Sequence, residues 1–203
     1  MSSKIVLYWH PMSSASPIAS ALAELGVAHE RVKVDIRTGE QRRPEFLALN
    51  PNGKVPTLTV DGAPMFEALA IHLFLGEQYG VAKGLWPANG TPERLQAMSW
   101  CVWSYVTYGA QLVRLQAARD MGTPEDAHGT AGHKAMDELL ALLDARLAQQ
   151  PWMLGDAYSM VDLVVGSVIG YSAYIGAPLQ NHAHVMAWLG QVQARPAMQS
   201  EAA

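Results

Sequence analysis

Among 203 residues there is a single cysteine, Cys101. That excludes an internal disulfide, a Cys-x-x-Cys redox pair and a thiolate zinc site. Charge is sparse as well: 16% of residues are charged, and 14 basic against 18 acidic side chains leave a formal net charge of −4. A nucleic-acid surface needs a basic excess, so no nucleic-acid partner is expected. No apolar run approaches the roughly 18 residues of a membrane span, so no membrane partner is expected either. The opening residues, MSSKIVLYWH, lack the long apolar stretch of a secretory leader, which points to a cytoplasmic location. The histidines do not recur at ligand spacing: His128 and His133 are five apart, His182 and His184 two apart, so no metal is expected. What is present is apolar material, 50% of the chain, enough to bury a core.

The first eighty residues alternate between two periods. Ile5 to Trp9 is a short β-branched and aromatic run that predicts a buried strand. Beyond His10-Pro11, Ile18, Leu22 and Leu25 recur at helical spacing, and Gly26 is a stop signal. His29 to Asp35 alternates and reads as a second strand, followed by a short helical piece near Phe46. Asn50-Pro51-Asn52-Gly53 marks a turn. Thr57 to Val60 predicts a strand, Asp61-Gly62 a hairpin turn, Pro64 to Phe66 an edge strand, and Ala68 to Tyr79 a helix. Past Val81 strand signals vanish. Helices are expected over Glu93 to Arg119, Gly132 to Gln149, Val161 to Tyr174 and His184 to Val192. The expected organisation is a small α/β domain over 1–81, a linker over 82–91 rich in glycine and proline, and an all-helical domain over 92–203.

Four local patterns then matter together. They are Leu7-Tyr8 through His10-Pro11-Met12-Ser13 ahead of a helix, Asn50-Pro51-Asn52-Gly53-Lys54-Val55-Pro56-Thr57-Leu58, Phe66-Glu67-Ala68 opening a helix, and Gly155-Asp156-Ala157-Tyr158-Ser159-Met160-Val161-Asp162. In this order and spacing the chain resembles the glutathione S-transferase family over nearly its whole length. The resemblance implies a thioredoxin-like domain followed by a helical bundle. Within the family, the chain is similar to the cytosolic type, bacterial-like, with a serine in the active site.

Ser13 and Ser14 stand where the first strand gives way to the first helix. Unpaired N–H groups and the positive end of the helix dipole favour a thiolate there. A hydroxyl at that point can donate one further hydrogen bond to the sulfur. No histidine or lysine base adjoins these serines, so neither reads as a nucleophile; the plainer alternative is a helix cap. The resemblance implies Ser13 as the thiolate donor, since His10-Pro11-Met12-Ser13 looks like the start of the serine-type branch. Ser14 is the alternative, where cysteine-type bacterial members carry cysteine, and Tyr8 is the rival from the tyrosine-type branch.

The other site residues follow from the same resemblance. Pro56 corresponds to the cis-proline of thioredoxin-like folds, which leaves the backbone of Val55 to pair with the cysteine of a bound tripeptide. Glu67 and Ala68 open a helix whose N–H groups suit a carboxylate, and Glu67 suits an ammonium. Together they would hold the γ-glutamyl head of glutathione. Relatives carry a hydroxyl residue where this chain has Ala68, a departure that weighs against tight binding. Gln41 and Lys54 would lie near the glycine carboxylate, in a loop made basic by Arg37, Arg42 and Arg43. Met12, Tyr105 and Tyr108 are expected to line a pocket for an apolar electrophile, although aromatic residues at helical spacing are more often core. Ser159 and Asp162 form an S-x-x-D capping box, a structural feature.

The expectation is a homodimeric glutathione transferase of detoxifying type, using glutathione as co-substrate and attacking a small apolar electrophile. Two alternatives stand beside it: glutathione-dependent peroxidase, disulfide-reductase or dehalogenase chemistry, and a non-catalytic binding module.

Overall fold

A computed structural model describes residues 3–122 and 127–199, and of residues 127 and 128 the backbone alone. The chain divides into two compact units. The first comprises Met1–Lys83 together with the chain from Arg195 onward; the second is Gly84–Ala194.

The first unit is built on a four-stranded mixed sheet of order β2-β1-β3-β4. β1 (Ile5–Trp9) is central. It pairs in parallel with β2 (Glu30–Lys33) and antiparallel with β3 (Thr57–Val60), with Leu7 opposite both Arg31 and Leu58. β3 continues into β4 (Ala63–Phe66) through Asp61 and Gly62, both at positive φ, 51° and 86°. That is the backbone of a tight hairpin turn whose twist matches the strands. The Asp61 carboxylate accepts the Lys4 N–H at 2.7 Å and ties the turn to the start of β1.

α1 (Ser16–Glu24) buries Ile18 and Leu22, followed by Leu25 at its C-cap, as their spacing dictates. It ends in a Schellman motif: Gly26 at φ 57°, its N–H bonded to the Ala23 carbonyl, and the Val27 N–H bonded to Leu22. α2 (Pro44–Leu47) sets Phe46 edge-on against Tyr8. α3 (Ala68–Leu75) runs into a π turn over Gly76–Gly80 instead of continuing regularly to Tyr79. Inside the sheet-and-helix core, Leu7, Leu58, Ile71 and Leu75 are fully buried. His72 of α3 is buried too, and its Nε2 meets the Pro17 carbonyl of α1 at 3.3 Å.

The second unit carries no named strand among its described residues. α4 (Pro92–Val102), a π turn (Trp103–Tyr108) and α5 (Gly109–Asp120) replace the single helix expected over Glu93 to Arg119. α6 (Ala127–Leu147), α7 (Met160–Tyr174) and α8 (Ala183–Gln193) complete it. α7 is apolar on every side: Met160, Val161, Leu163, Val164, Val165 and Ile169 are all fully buried, which makes it the central helix. A Cβ on Gly166 would stand 2.9 Å from Val192, so glycine is what lets α8 approach α7. The capping box is formed as expected. The buried Asp162 carboxylate accepts from the N–H and hydroxyl of Ser159, the Met153 N–H and the Trp188 indole. Burial nevertheless pushes its pKa up.

One boundary expectation is corrected. The sequence pattern assigns everything from residue 92 to the helical domain, yet Arg195 and α9 (Pro196–Gln199) belong to the first unit. α9 packs on α1, and the Arg195 guanidinium grips both carboxylate oxygens of Glu24, with Nε to Oε2 at 3.0 Å. Four residues give too short a periodic signal to assign to a partner helix from sequence.

Candidate functional site

Three loops of the first unit carry the candidate residues. The first joins β1 to α1. Met12 sits there at φ 53° with its side chain 91% exposed. Ser13 turns inward: its hydroxyl donates to the His10 carbonyl at 2.6 Å and accepts the Ala15 N–H at 3.1 Å. The His10 ring is buried against the Val34 carbonyl at 3.0 Å. Ser14, exposed, reaches in another direction, and its hydroxyl donates to the Val55 carbonyl at 3.1 Å. Adjacent serines thus have different work. Ser13 braces its own loop, and Ser14 faces the loop that ends at Pro56.

That second loop is held from within. Asn50, almost fully buried, donates its amide to the Lys54 carbonyl at 2.7 Å and to the Thr57 hydroxyl at 3.1 Å, and its own oxygen takes the Asn52 N–H. Asn50 reads as a turn signal in the sequence; its positioning role shows only once its amide finds two partners. Arg42 crosses to the Asn52 carbonyl. Gly53 lies so close to the Gln41 carbonyl that a Cβ there would stand 2.8 Å away. The Val55–Pro56 bond is cis. The Lys54 side chain is exposed. Gln41 spends its amide on the Ile36 carbonyl at 3.2 Å, and its Oε1 is buried without a hydrogen-bond partner.

The third loop is the start of α3. Glu67 is its N-cap residue at φ 70°, ψ 113°, with no side-chain cap bond. A non-glycine residue at positive φ is strained, and such positions concentrate at functional sites. Glu67 is exposed and Ala68 buried behind it.

Tyr8 packs edge-on against Phe46 of α2, its centroid 6.1 Å away. Of the aromatic residues expected to line a pocket, Tyr105 is partly exposed, and burial pushes its hydroxyl pKa up. Tyr108 is a correction. It is fully buried, its hydroxyl 2.6 Å from Ser172 Oγ, its ring 5.6 Å from Trp103, and burial pushes its pKa up to about 12. It is core of the helical unit, on one helical stripe with the buried Ala97, Cys101 and Ser104. Cys101 is buried, and burial drives its thiol up to about 12, so it supplies no reactive thiolate. Among the described residues, no three His, Cys, Asp or Glu side chains come close enough to hold a metal ion. The His128 side chain lies outside the described residues, while His182 and His184 each bond an aspartate, Asp137 and Asp144, at 2.9 Å.

A thioredoxin-like sheet with a cis-proline loop, followed by an all-helical unit, defines a class of two-domain folds. Comparison narrows the class. Residues 3–77 match the family described as glutathione S-transferase, N-terminal domain, and residues 109–191 the glutathione S-transferase C-terminal domain. A glutathione S-transferase of Hypomyces subiculosus, hmp2, is 30% identical over 94% of each chain. The disulfide-bond oxidoreductase YfcG of Escherichia coli is 28% identical over 95% of this chain and 92% of its own. A sphingomonad glutathione S-transferase solved in complex with glutathione superposes with a TM-score of 0.83 at 30% identity, covering 97% of this chain and 96% of that one. The chain belongs to the glutathione S-transferase family.

Proposed function

We propose that this protein is a glutathione transferase in which Ser14 stabilises the glutathione thiolate for attack on an apolar electrophile. The observation that carries the reading is the Ser14 hydroxyl at the start of α1, 3.1 Å from the Val55 carbonyl beside cis-Pro56. Ser13 is the weaker candidate, because both its donor and its acceptor are engaged within its own loop. In this reading the Val55 backbone takes the cysteine of glutathione, Glu67 takes the ammonium, and the α3 N-terminus at Ala68 takes the γ-glutamyl carboxylate. Lys54 faces the glycine end; Gln41, its amide bonded to the Ile36 carbonyl and its Oε1 buried, is left out. The thiol loses its proton to solvent, the thiolate forms the new carbon–sulfur bond, and the leaving group departs with its electron pair. Met12 flanks the electrophile; Tyr108 is left out. A homodimer and a cytoplasmic setting belong to the same proposal.

Disulfide reduction is the second reading, favoured by the likeness to YfcG. The buried Cys101 thiol offers nothing to it, so glutathione would have to supply both thiols. A non-catalytic binding module is the third, favoured by Ala68.

Titration of the ultraviolet thiolate absorbance of bound glutathione tests the proposal. One charge-assisted hydrogen bond of about 1.5–3 kcal/mol corresponds to roughly 1–2 pKa units. Wild type is expected to hold the bound thiol about 2 units below its free value. Ser14→Ala should raise it by about 1–2 units and lower turnover about tenfold to a hundredfold. Ser13→Ala should leave the bound pKa alone. The reverse pattern would return the role to Ser13, and no thiolate in wild type would favour the binding module.

A further inference from the structure

A cleft of about 440 Å³ opens in the first unit between β2 and α2, on the Tyr8 side of the sheet. Its floor is apolar and aromatic: Tyr8, Val32, Val34, Phe46 and Leu49. That volume lies in the range of ligand sites. Of these side chains only Tyr8 has a claim on glutathione, as the rival thiolate donor that the proposed function sets aside.

Lys33 also borders the cleft, although its neighbours Val32 and Val34 already point into it. Side chains alternate along a strand, so the Lys33 side chain lies on the other face. What Lys33 contributes to the cleft is its main chain. The ladder fixes which way that main chain points. Trp9 is in register with Lys33, and the Trp9 carbonyl accepts from Val34 N–H at 2.8 Å. In a parallel pair, a residue bonds to the two neighbours of its partner, so the partner's own N–H and C=O turn away. By the same register Leu7 faces Arg31. Arg31 and Lys33 therefore present their backbone groups outward, along the edge strand of the sheet, beside an apolar cleft.

We infer that this edge and cleft form a docking site for an extended peptide of a partner protein, one that alternates apolar and acidic side chains. The added strand pairs with the Arg31 and Lys33 backbone. Its apolar residues fall over Val32, Val34 and Phe46. Its intervening residues lie on the face of Arg31 and Lys33, both exposed cations, which calls for acids. At the far rim the Glu40 carboxylate pairs with Arg43 at 3.4 Å and accepts the Asp35 N–H at 2.7 Å, so it adds little repulsion; Glu45 also lines the cleft. The same two cations stop β2 from pairing with β2 of another copy, the usual protection of an exposed edge. The site is thus selective by charge as well as by shape.

The test uses the full chain and a fluorescein-labelled, end-blocked hexapeptide alternating leucine and glutamate, read by fluorescence anisotropy. Saturable binding is expected in the range of tens of micromolar, unaffected by glutathione. Lys33→Glu and Leu49→Glu should each weaken it at least fivefold while leaving the circular dichroism spectrum unchanged. A peptide N-methylated at alternate residues should not bind, because strand pairing needs its N–H groups. The inference is overturned by no saturable binding up to millimolar peptide, by equal binding to both variants, by equal binding of the N-methylated peptide, or by displacement with glutathione.

Discussion

A methyl group occupies the first turn of α3 at Ala68, where a hydroxyl would donate to a carboxylate held by the helix N-terminus. In the proposed reading the backbone N–H groups still serve that carboxylate, so the methyl would weaken glutathione binding without abolishing it. A hydrogen bond to a charged group contributes about 1.5–3 kcal/mol when well placed, and bridging water recovers much of that. Ala68→Ser should therefore tighten glutathione by about 1 kcal/mol, roughly fivefold, with calorimetric titration as the measurement. Unchanged or weaker binding would mean that Ala68 does not border the ligand. Four residues on, His72 makes a different prediction. Burial holds its pKa down, to about 4 from 6.5. The unfolded chain takes up that proton first, so the stability tied to neutral His72 is complete above about pH 6.5 and is lost as pH falls toward 4. The loss is about 3 kcal/mol. Urea unfolding between pH 7.5 and 4.5 should show it in wild type, and a His72→Gln variant should be flatter over that window; parallel curves would reject it.

Among the elements, α8 has a start that its own sequence does not explain. Its N-cap residue, His182, makes no side-chain cap bond. Asp144 of α6 caps it from outside, accepting the N–H groups of His184 at 2.8 Å and Val185 at 3.0 Å on one oxygen and the His184 ring on the other. Burial works to raise the Asp144 carboxyl, but these donors outweigh it and hold the pKa below the usual carboxylate value. Asp144→Ala should cost about 1–2 kcal/mol, the worth of a helix cap, measured by chemical denaturation. Asp144→Asn, which keeps an acceptor, should cost less. Equal costs would show that the charge is what matters. The α4–α5 element departs from its own pattern in another way. Its residues read as one regular helix, and a π turn over Trp103–Tyr108 interrupts it.

At the scale of the whole molecule, an apolar stripe remains exposed along α4 and α5. Leu95 is 68% exposed, Val106 60% and Val113 69%, with Val102 between them. Isolated exposed apolar residues are ordinary, but a stripe at helical spacing is a surface that water disfavours. A twofold partner presenting the same stripe would cover it. Light scattering at micromolar concentration should give twice the chain mass, and Val106→Glu with Val113→Glu should shift it toward one chain mass. A wild-type mass of one chain would reject the dimer.

By itself the sequence determined the order of strands and α-helices from β1 to α3, the strand β3 to the residue, the Asp61-Gly62 hairpin, the Gly26 stop and the Ser159–Asp162 capping box. Each depends on neighbours a few residues apart, where spacing and φ preference decide. The family membership was legible for the same reason, since its patterns are local. Tertiary structure alone decided what depends on direction and on distant partners. Ser13 and Ser14 are alike in sequence, and only the loop geometry turns one toward His10 and the other toward Val55, 41 residues away. Tyr108 is core because its hydroxyl meets Ser172, 64 residues away, inside the helical unit. Asn50, Asp144 and the return of α9 to α1 each needed contacts that no local period encodes, most of them between residues far apart in the chain.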